Sequence, residues 1–299
     1  MIPAPGRNVD FPHAPSVAIW AAGVRIGRAA VIALEFDRVS KHYATPDAST
    51  YPVVHEISLT IASGAFVALV GPSGCGKTTL LSLAAGLLPP SAGRVLVEGQ
   101  PLAGLNRRAT YMFQQDALLP WKTVRANVAL GLALAGVSRT DADARAEAWL
   151  DRVGLTTFAD HFPAQLSGGM RKRVAMAQNW ILDRTQVLMD EPFSALDVHT
   201  RQLMEAELLG LWELGADRAK RTVLFVTHDL DEAIALADEV VVLSAGPASR
   251  IVSRHAIELE RPRRLLDLRT SSEFQSIYRT LWSVLREEVV KSQGKAARV

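Results

Sequence analysis

Apolar positions along this chain follow two rhythms. From residue 33 onward, Leu34 and Phe36 alternate with Glu35 and Asp37. Val53, His55, Ile57, Leu59 and Ile61 likewise alternate with Glu56, Ser58 and Thr60. Successive side chains of a strand point to opposite faces, so this period of two predicts strands buried on one face only. Pro46, Asp47 and Ser49 mark a loop between them. Residues 94–98 predict a further strand, closed at Gly99. Elsewhere the apolar residues come as unbroken blocks at 66–70, 187–189, 223–226 and 240–243. Such blocks predict strands covered on both faces, as in a parallel sheet between layers of helices. Residues 79–88 read as a helix, and the stretch from about 115 to 182 is mainly polar and helical, as at 141–150. In the tail, Phe274, Ile277, Leu281 and Leu285 recur at helical spacing. The layout is α/β with a helical insertion.

Composition narrows the class. A chain of 299 residues with 48% hydrophobic and 21% charged residues has ample material for a globular core. A net charge of +2 gives no ground for a nucleic-acid partner. The single cysteine, Cys75, excludes an intrachain disulfide and fits a reducing compartment. No apolar run reaches the roughly 18–20 residues of a membrane-spanning helix. The nearest, at 17–34, is interrupted by Gly23, Arg25, Gly27 and Arg28, and a secretory signal would carry its charge before the apolar run. Residues 1–32 are therefore expected to be an extension outside the core fold. Arg25 and Arg28 would share a helix face there, so a loosely packed extension competes with a membrane-surface contact.

The candidate chemistry begins at residues 71–78, Gly-Pro-Ser-Gly-Cys-Gly-Lys-Thr, which fit the phosphate-loop pattern GxxxxGK[ST]. They follow an apolar block and precede a helix, where glycines curl the backbone so that N–H groups and a helix N-terminus face one anion. Lys77 would meet the β- and γ-phosphates of a nucleoside triphosphate, and the Thr78 hydroxyl would ligate Mg²⁺. A second strand ends in Asp190 and Glu191, and a third in Thr227 and His228. Asp190 is expected to hold Mg²⁺ through water. Glu191 is the candidate general base, and a neutral His228 can bridge the attacking water and the γ-phosphate. Cys75 is expected to have a lowered thiol pKa beside Lys77 and the loop amides, so that alkylation would block nucleotide binding.

Residues 166–170, Leu-Ser-Gly-Gly-Met, resemble the LSGGQ signature of ATP-binding cassette (ABC) ATPases, with Met170 in the last position. Phe113 and Gln114 resemble the Q-loop, with Gln115 as adjacent competitor, and residues 194–197, Ser-Ala-Leu-Asp, match the D-loop. The resemblance implies a P-loop NTPase cassette with a mainly parallel core sheet, an antiparallel β subdomain and an inserted helical subdomain. Its implied ATP site takes in Gly71, Pro72, Ser73, Gly74, Cys75, Gly76, Lys77, Thr78 and Thr79, with Tyr43 stacking on adenine. Mg²⁺ would be held by Thr78, Gln114 and Asp190. Ser167 and Gly169 would contact the γ-phosphate of a second copy, with Asp197 also facing that copy. A plain helix cap at Ser167 is the competing reading.

Residues 112–121 and 189–197, together with the ending from Pro262 to Glu288, look like the nitrate/sulfonate/taurine importers within that family. This resemblance implies a homodimeric motor on the cytoplasmic face of the cell membrane. It would work beneath integral-membrane permease subunits and, through them, with a periplasmic or extracellular solute-binding protein. A cassette serving lipid trafficking or another non-import complex, or a soluble non-transport ATPase, would also fit the motor motifs. The cassette is expected over residues 33–262, with the insertion at about 115–182 and a helical tail over 263–299. Residues 116–121 leave Gln114 with several apolar side chains. Leu118, Leu119 and Trp121 are expected either to anchor a short permease helix or to fill the core of the insertion. Two departures stand out: Met170, and Gln178-Asn179 where most members continue from Ala177 with Arg.

Overall fold

The two alternating segments become a long antiparallel pair, β1 (Ile32–Ala44) and β2 (Thr50–Ala62). The structure is a computed structural model that describes residues 31–46, 49–194, 196–213, 220–263 and 265–296. The expected extension at 1–32, with Arg25 and Arg28, lies outside these residues except for its last two positions. Next come β3 (Phe66–Val70), α1 (Lys77–Ala84), β4 (Ala92–Val97), β5 (Gln100–Pro101) and β6 (Ala109–Met112). The insertion contributes α2 (Val124–Val128), α3 (Leu130–Leu134), α4 (Arg139–Arg152) and α5 (Gly168–Trp180). The chain then alternates through β7 (Gln186–Asp190), α6 (Val198–Glu213), β8 (Thr222–Val226), α7 (Leu230–Leu236), β9 (Glu239–Leu243) and β10 (Ile251–Ala256). It closes with α8 (Leu265–Leu268) and α9 (Ser272–Ala296).

Among the described residues the strands form two sheets. One has the order β2-β1-β4-β5 and is antiparallel. The other runs β10-β9-β3-β8-β7-β6, parallel throughout except for β10 at its edge. Every residue of β3, β7 and β8 is buried, as their apolar blocks at 66–70, 187–189 and 223–226 require. Val67 and Leu69 face α1 and the antiparallel sheet, packing with Leu80, Leu81, Phe36 and Leu59. Phe66, Ala68 and Val70 face the opposite layer, with Met204, Leu208, Ile234 and Phe274. The insertion has its own core around Val128, Leu150 and Val174.

Two details differ from the sequence pattern. The expected alternation put Val53 and His55 on the inner face of β2, whereas both are half-buried and Val54 is buried. The phase slips because β2 carries an extra residue at 55–56 opposite Ser40, where Glu56 takes φ +48° and its N–H donates to Ser40 Oγ at 2.9 Å. The helix after the phosphate loop was expected to reach residue 88 but ends at Ala84. Gly86 takes φ +70°, and Leu87 N–H returns to the Ser82 carbonyl at 3.0 Å. A Cβ at Gly86 would lie 1.9 Å from the Gly104 carbonyl oxygen, so no other residue fits there.

The tail helix packs on the main core. Phe274, Leu281 and Leu285 of α9 are buried in the same cluster as β3 and α7. Buried Arg263, just before α8, donates to the carbonyls of Ile234, Ala235 and Ala237. Truncating a fully buried aromatic side chain removes its transfer energy and leaves a cavity. Phe274→Ala should therefore lower unfolding stability by about 3–5 kcal/mol in one urea transition of unchanged slope. A loss below about 1 kcal/mol would place the tail outside the cooperative unit.

Candidate nucleotide site

The loop between β3 and α1 is shaped by left-handed glycines, Gly74 at φ +75° and Gly76 at φ +92°. Nothing lies within 4 Å of where a Gly74 Cβ would be, so backbone faces open space at that point. Helix α1 begins at Lys77 with no side-chain cap and no acidic residue in its first turn. Its first N–H groups are thereby left for an anion. Lys77 is buried, and its Nζ donates to the carbonyls of Gly71 (2.8 Å) and Pro72 (3.2 Å). Gly71, Pro72 and Cys75 are buried, while Ser73, Gly74 and Thr78 are exposed and Thr79 is half-buried.

Thr78 Oγ1 donates to Asp190 Oδ1 at 3.0 Å, joining the start of α1 to the end of β7. The Tyr111 hydroxyl reaches the other Asp190 oxygen at 3.4 Å. Burial pushes the Asp190 pKa up, opposed mainly by the Thr78 hydrogen bond. Burial, aided by the Asp190 charge, pushes Tyr111 up to about 12. These hard oxygen donors suit a small divalent cation that takes most of its ligands from phosphate and water. Among the described residues no group of three His, Cys, Asp or Glu side chains could hold a metal by itself.

β6, β7 and β8 are adjacent and parallel, so their C-terminal ends share one edge of the sheet, where open α/β folds place ligands. Glu191, immediately after β7, is held at φ +42°, with its N–H bonded to the Val226 carbonyl at 2.9 Å. A non-glycine residue in that region is strained, and here the strain aims a carboxylate across the edge. Glu191 Oε2 lies 3.0 Å from His228 Nδ1 and 3.4 Å from Gln114 Nε2. Gln114 also reaches Ser194 Oγ at 3.4 Å. Asp190, Glu191, Gln114 and His228 therefore converge with the phosphate loop, and Gln114 rather than Gln115 turns toward Glu191.

The other expected residues lie apart from this cluster. Ser167 caps α5, accepting from Met170 N–H at 3.2 Å, and a Cβ at Gly169 would sit 2.8 Å from Thr200 Cγ2. Asp197 caps α6 at Thr200, whose N–H and hydroxyl lower its pKa. Tyr43 is exposed near the end of β1 with Lys41 Nζ 5.3 Å above its ring. Ala195 of the expected D-loop is outside the described residues.

Sequence reasoning missed Tyr111 and Lys172. Lys172, buried in α5, donates to the Gln114 carbonyl at 2.7 Å and pairs with Asp116 at 3.0 Å, tying the Q-loop to the signature helix. Beside this contact a groove of about 340 Å³ is lined by Phe113, Gln115, Ala117, Leu130, Leu134 and Gln178, among others. Leu119 and Trp121 do not line this groove. Trp121 is 71% exposed, so it does not fill the core of the insertion, and the Leu119 backbone is held by both amide atoms of Asn127. Leu118 packs between the main core and the insertion core.

A family model described as ABC transporter matches residues 54–194. An uncharacterised ABC transporter ATP-binding protein of Methanocaldococcus jannaschii is 45% identical over 236 residues, covering 79% of this chain and 85% of that one. The chain belongs to the ABC transporter ATP-binding family. It is an ATPase subunit of that class. Similar proteins include the taurine import ATP-binding protein TauB of Yersinia pestis, 46% identical over 68% of this chain and 78% of that protein. TauB of Pseudomonas entomophila is 45% identical over 74% of this chain and 82% of its own length. A solved dimeric ATP-binding cassette in a post-hydrolysis state, bound to ADP and Pi, superposes with TM-score 0.66. It is 29% identical and covers 76% of this chain and 100% of that one.

Cys75 reverses its expectation. Its side chain is fully buried in the cassette core under α1, and a Cβ at Gly71 would lie 2.8 Å from its Sγ. Burial pushes the thiol pKa up and outweighs Lys77 and the backbone N–H groups. Only the thiolate reacts with alkylating agents. In mass-spectrometric labelling, iodoacetamide should modify Cys75 at least about tenfold more slowly in the folded chain than in urea. Equal rates would contradict the buried placement.

Proposed function

We propose that this chain is the ATP-hydrolysing motor of an importer for taurine or a related small solute. It would act as a homodimer beneath integral-membrane permease subunits on the cytoplasmic face of the membrane, with a solute-binding protein delivering the cargo. Among the described residues no helix is long and apolar enough to cross a membrane. The TauB relatives, matched over most of their length, support the solute class. We take 33–262 as the motor unit, with the helical insertion at about 115–182 and the helical tail at 263–299.

The observation that carries the hydrolytic reading is Glu191, held in a strained turn between His228 and Gln114 and beside Asp190. Lys77 exchanges its two carbonyl partners for the β- and γ-phosphates of ATP, while the loop amides of residues 71–79 surround them. Tyr43 offers a ring for adenine. Thr78, Asp190 and Gln114 would hold Mg²⁺, which when bound neutralises phosphate charge. Glu191 orients the attacking water and accepts its proton as the bond from the γ-phosphorus to the bridging oxygen breaks. His228 shares Glu191 as partner, which keeps its ring at the same water. Ser167 and Gly169 of a second copy would close on the γ-phosphate, with Asp197 at the same junction.

Glu191→Gln keeps size and hydrogen bonding but removes the base. ATP should still bind, turnover should fall about 10²–10⁴-fold, and gel filtration should show an ATP-dependent dimer. Near-normal hydrolysis would end this assignment.

Gln114 meets Glu191 on one side and Lys172 on the other, so phosphate contact at the Q-loop can move α5 and the insertion together. The adjacent groove is the surface we assign to a permease helix. Leu134 stands on its rim and is 81% exposed. Leu134→Asp should leave the melting temperature within about 2 °C, as surface changes do. It should also cut co-isolation with the permease at least about tenfold, since an apolar anchor would be replaced by a charge. Unchanged co-isolation would move the interface elsewhere.

A further inference from the structure

Behind the loop that carries His228 lies a group of charges that the hydrolytic steps above do not use. Arg201, in the first turn of α6, is its hub. Its Nη2 donates to the Leu196 carbonyl at 3.1 Å, and its Nη1 pairs with Asp229 Oδ2 at 3.1 Å. Its Nε lies 3.6 Å from Glu232 Oε1. Leu196 is two residues past Ser194, whose hydroxyl contacts Gln114. Asp229 directly follows His228.

The loop itself is closely bonded. Asp229 Oδ1 caps α7 by accepting from Asp231 N–H at 2.8 Å and Glu232 N–H at 3.4 Å. Asp229 N–H donates to Thr227 Oγ1 at 3.0 Å, and that hydroxyl donates to Glu232 Oε2 at 2.6 Å. His228 is therefore flanked on both sides by residues of one network, and that network is joined to the backbone beyond Ser194 through Arg201. A guanidinium suits this task because its planar fork directs N–H groups to a carbonyl and a carboxylate at once. One turn further along α6, fully buried Glu205 pairs with Arg269 of the C-terminal segment at 2.6 Å, anchoring the helix that carries Arg201.

We propose that Arg201 is a positioning residue for ATP hydrolysis, setting the spacing between the segment after Ser194 and the loop that presents His228 to Glu191. The inference rests on the hydrolytic roles proposed above for Glu191 and His228. Displacing a reacting group by on the order of 1 Å can cost about 10²-fold in rate while leaving remote binding contacts intact.

The test uses the full chain and reads kcat and KM for ATP together with ADP affinity by calorimetry. Arg201→Met keeps the reach of the side chain and removes its fork. Its kcat should fall at least about tenfold, with KM and ADP affinity within about twofold. Asp229→Asn keeps the α7 cap and loses the ion pair, so it should show the same split. It decides the matter if Arg201→Met does not fold. The double variant should lose no more than the worse single one, since both break one link. Wild-type kcat in either folded variant overturns the proposal. So does a loss shared equally by kcat, KM and ADP affinity. If instead the unmodified chain hydrolyses no ATP, or Glu191→Gln turns over normally, the functional reading itself fails.

Discussion

The polar groups of the nucleotide site are placed by one constraint: the central strands are covered on both faces. β3, β7 and β8 have no residue exposed along their length, so an unpaired charge inside them would cost several kcal/mol. Carboxylates and imidazole can appear only where the strands stop. Parallel pairing makes β6, β7 and β8 stop at the same edge, and so Gln114, Asp190, Glu191 and His228 gather there without sequence proximity. The same edge receives the phosphate loop, because β3 is next to β8 in the same direction. The site is a consequence of where burial ends.

Charges at that edge already have protein partners. Lys77 is bonded to two loop carbonyls, and Asp190 to the Thr78 and Tyr111 hydroxyls. A buried ammonium or carboxylate without partners would be costly. In the proposed binding of phosphate and a cation these bonds would be exchanged for ligand contacts, and each group would stay satisfied in both states. Glu191 differs. Its strained backbone is fixed by the Val226 carbonyl, so its aim is built into the sheet edge rather than induced by a ligand.

Much of this was legible because it depends on local pattern. The unbroken blocks at 66–70 and 223–226 needed only their composition to declare strands buried on both faces, and the glycines of 71–76 to declare a phosphate loop. The signature at 166–170 located α5 by the cap at Ser167, which forms within four residues. What stayed hidden depends on contacts distant in sequence. The bulge at Glu56 shifts Val53 and His55 off the inner face, and the glycine that α1 needs just beyond its end, Gly86, is fixed by the Gly104 carbonyl. Cys75 read as reactive from its neighbours in sequence, whereas packing under α1 decides its state. Leu119 and Trp121 read as apolar residues beside Gln114, and Trp121 is exposed as that reading required. The groove lined by Leu134 and Gln178 was hidden, because two other helices bring those residues together.

The C-terminal helices show how far the site's support reaches. Near the start of this segment, Arg269 pairs with Glu205 in the helix that carries Arg201. Near its other end, buried Glu288 accepts from Ala245 N–H at 2.8 Å. Ala245 precedes Gly246, where an added Cβ would come within 3.3 Å of the Gly74 carbonyl oxygen. One helical segment thus braces the helix behind the His228 loop and the turn that backs the phosphate loop. Both carboxylates are nearly or fully withdrawn from solvent, so each depends on its partner to offset the loss of hydration. Such groups hold position more strictly than apolar contacts do, because a shift leaves a charge uncompensated while an apolar surface only slides. The tail therefore does more than add apolar area: it ties two sides of the nucleotide site to a common support.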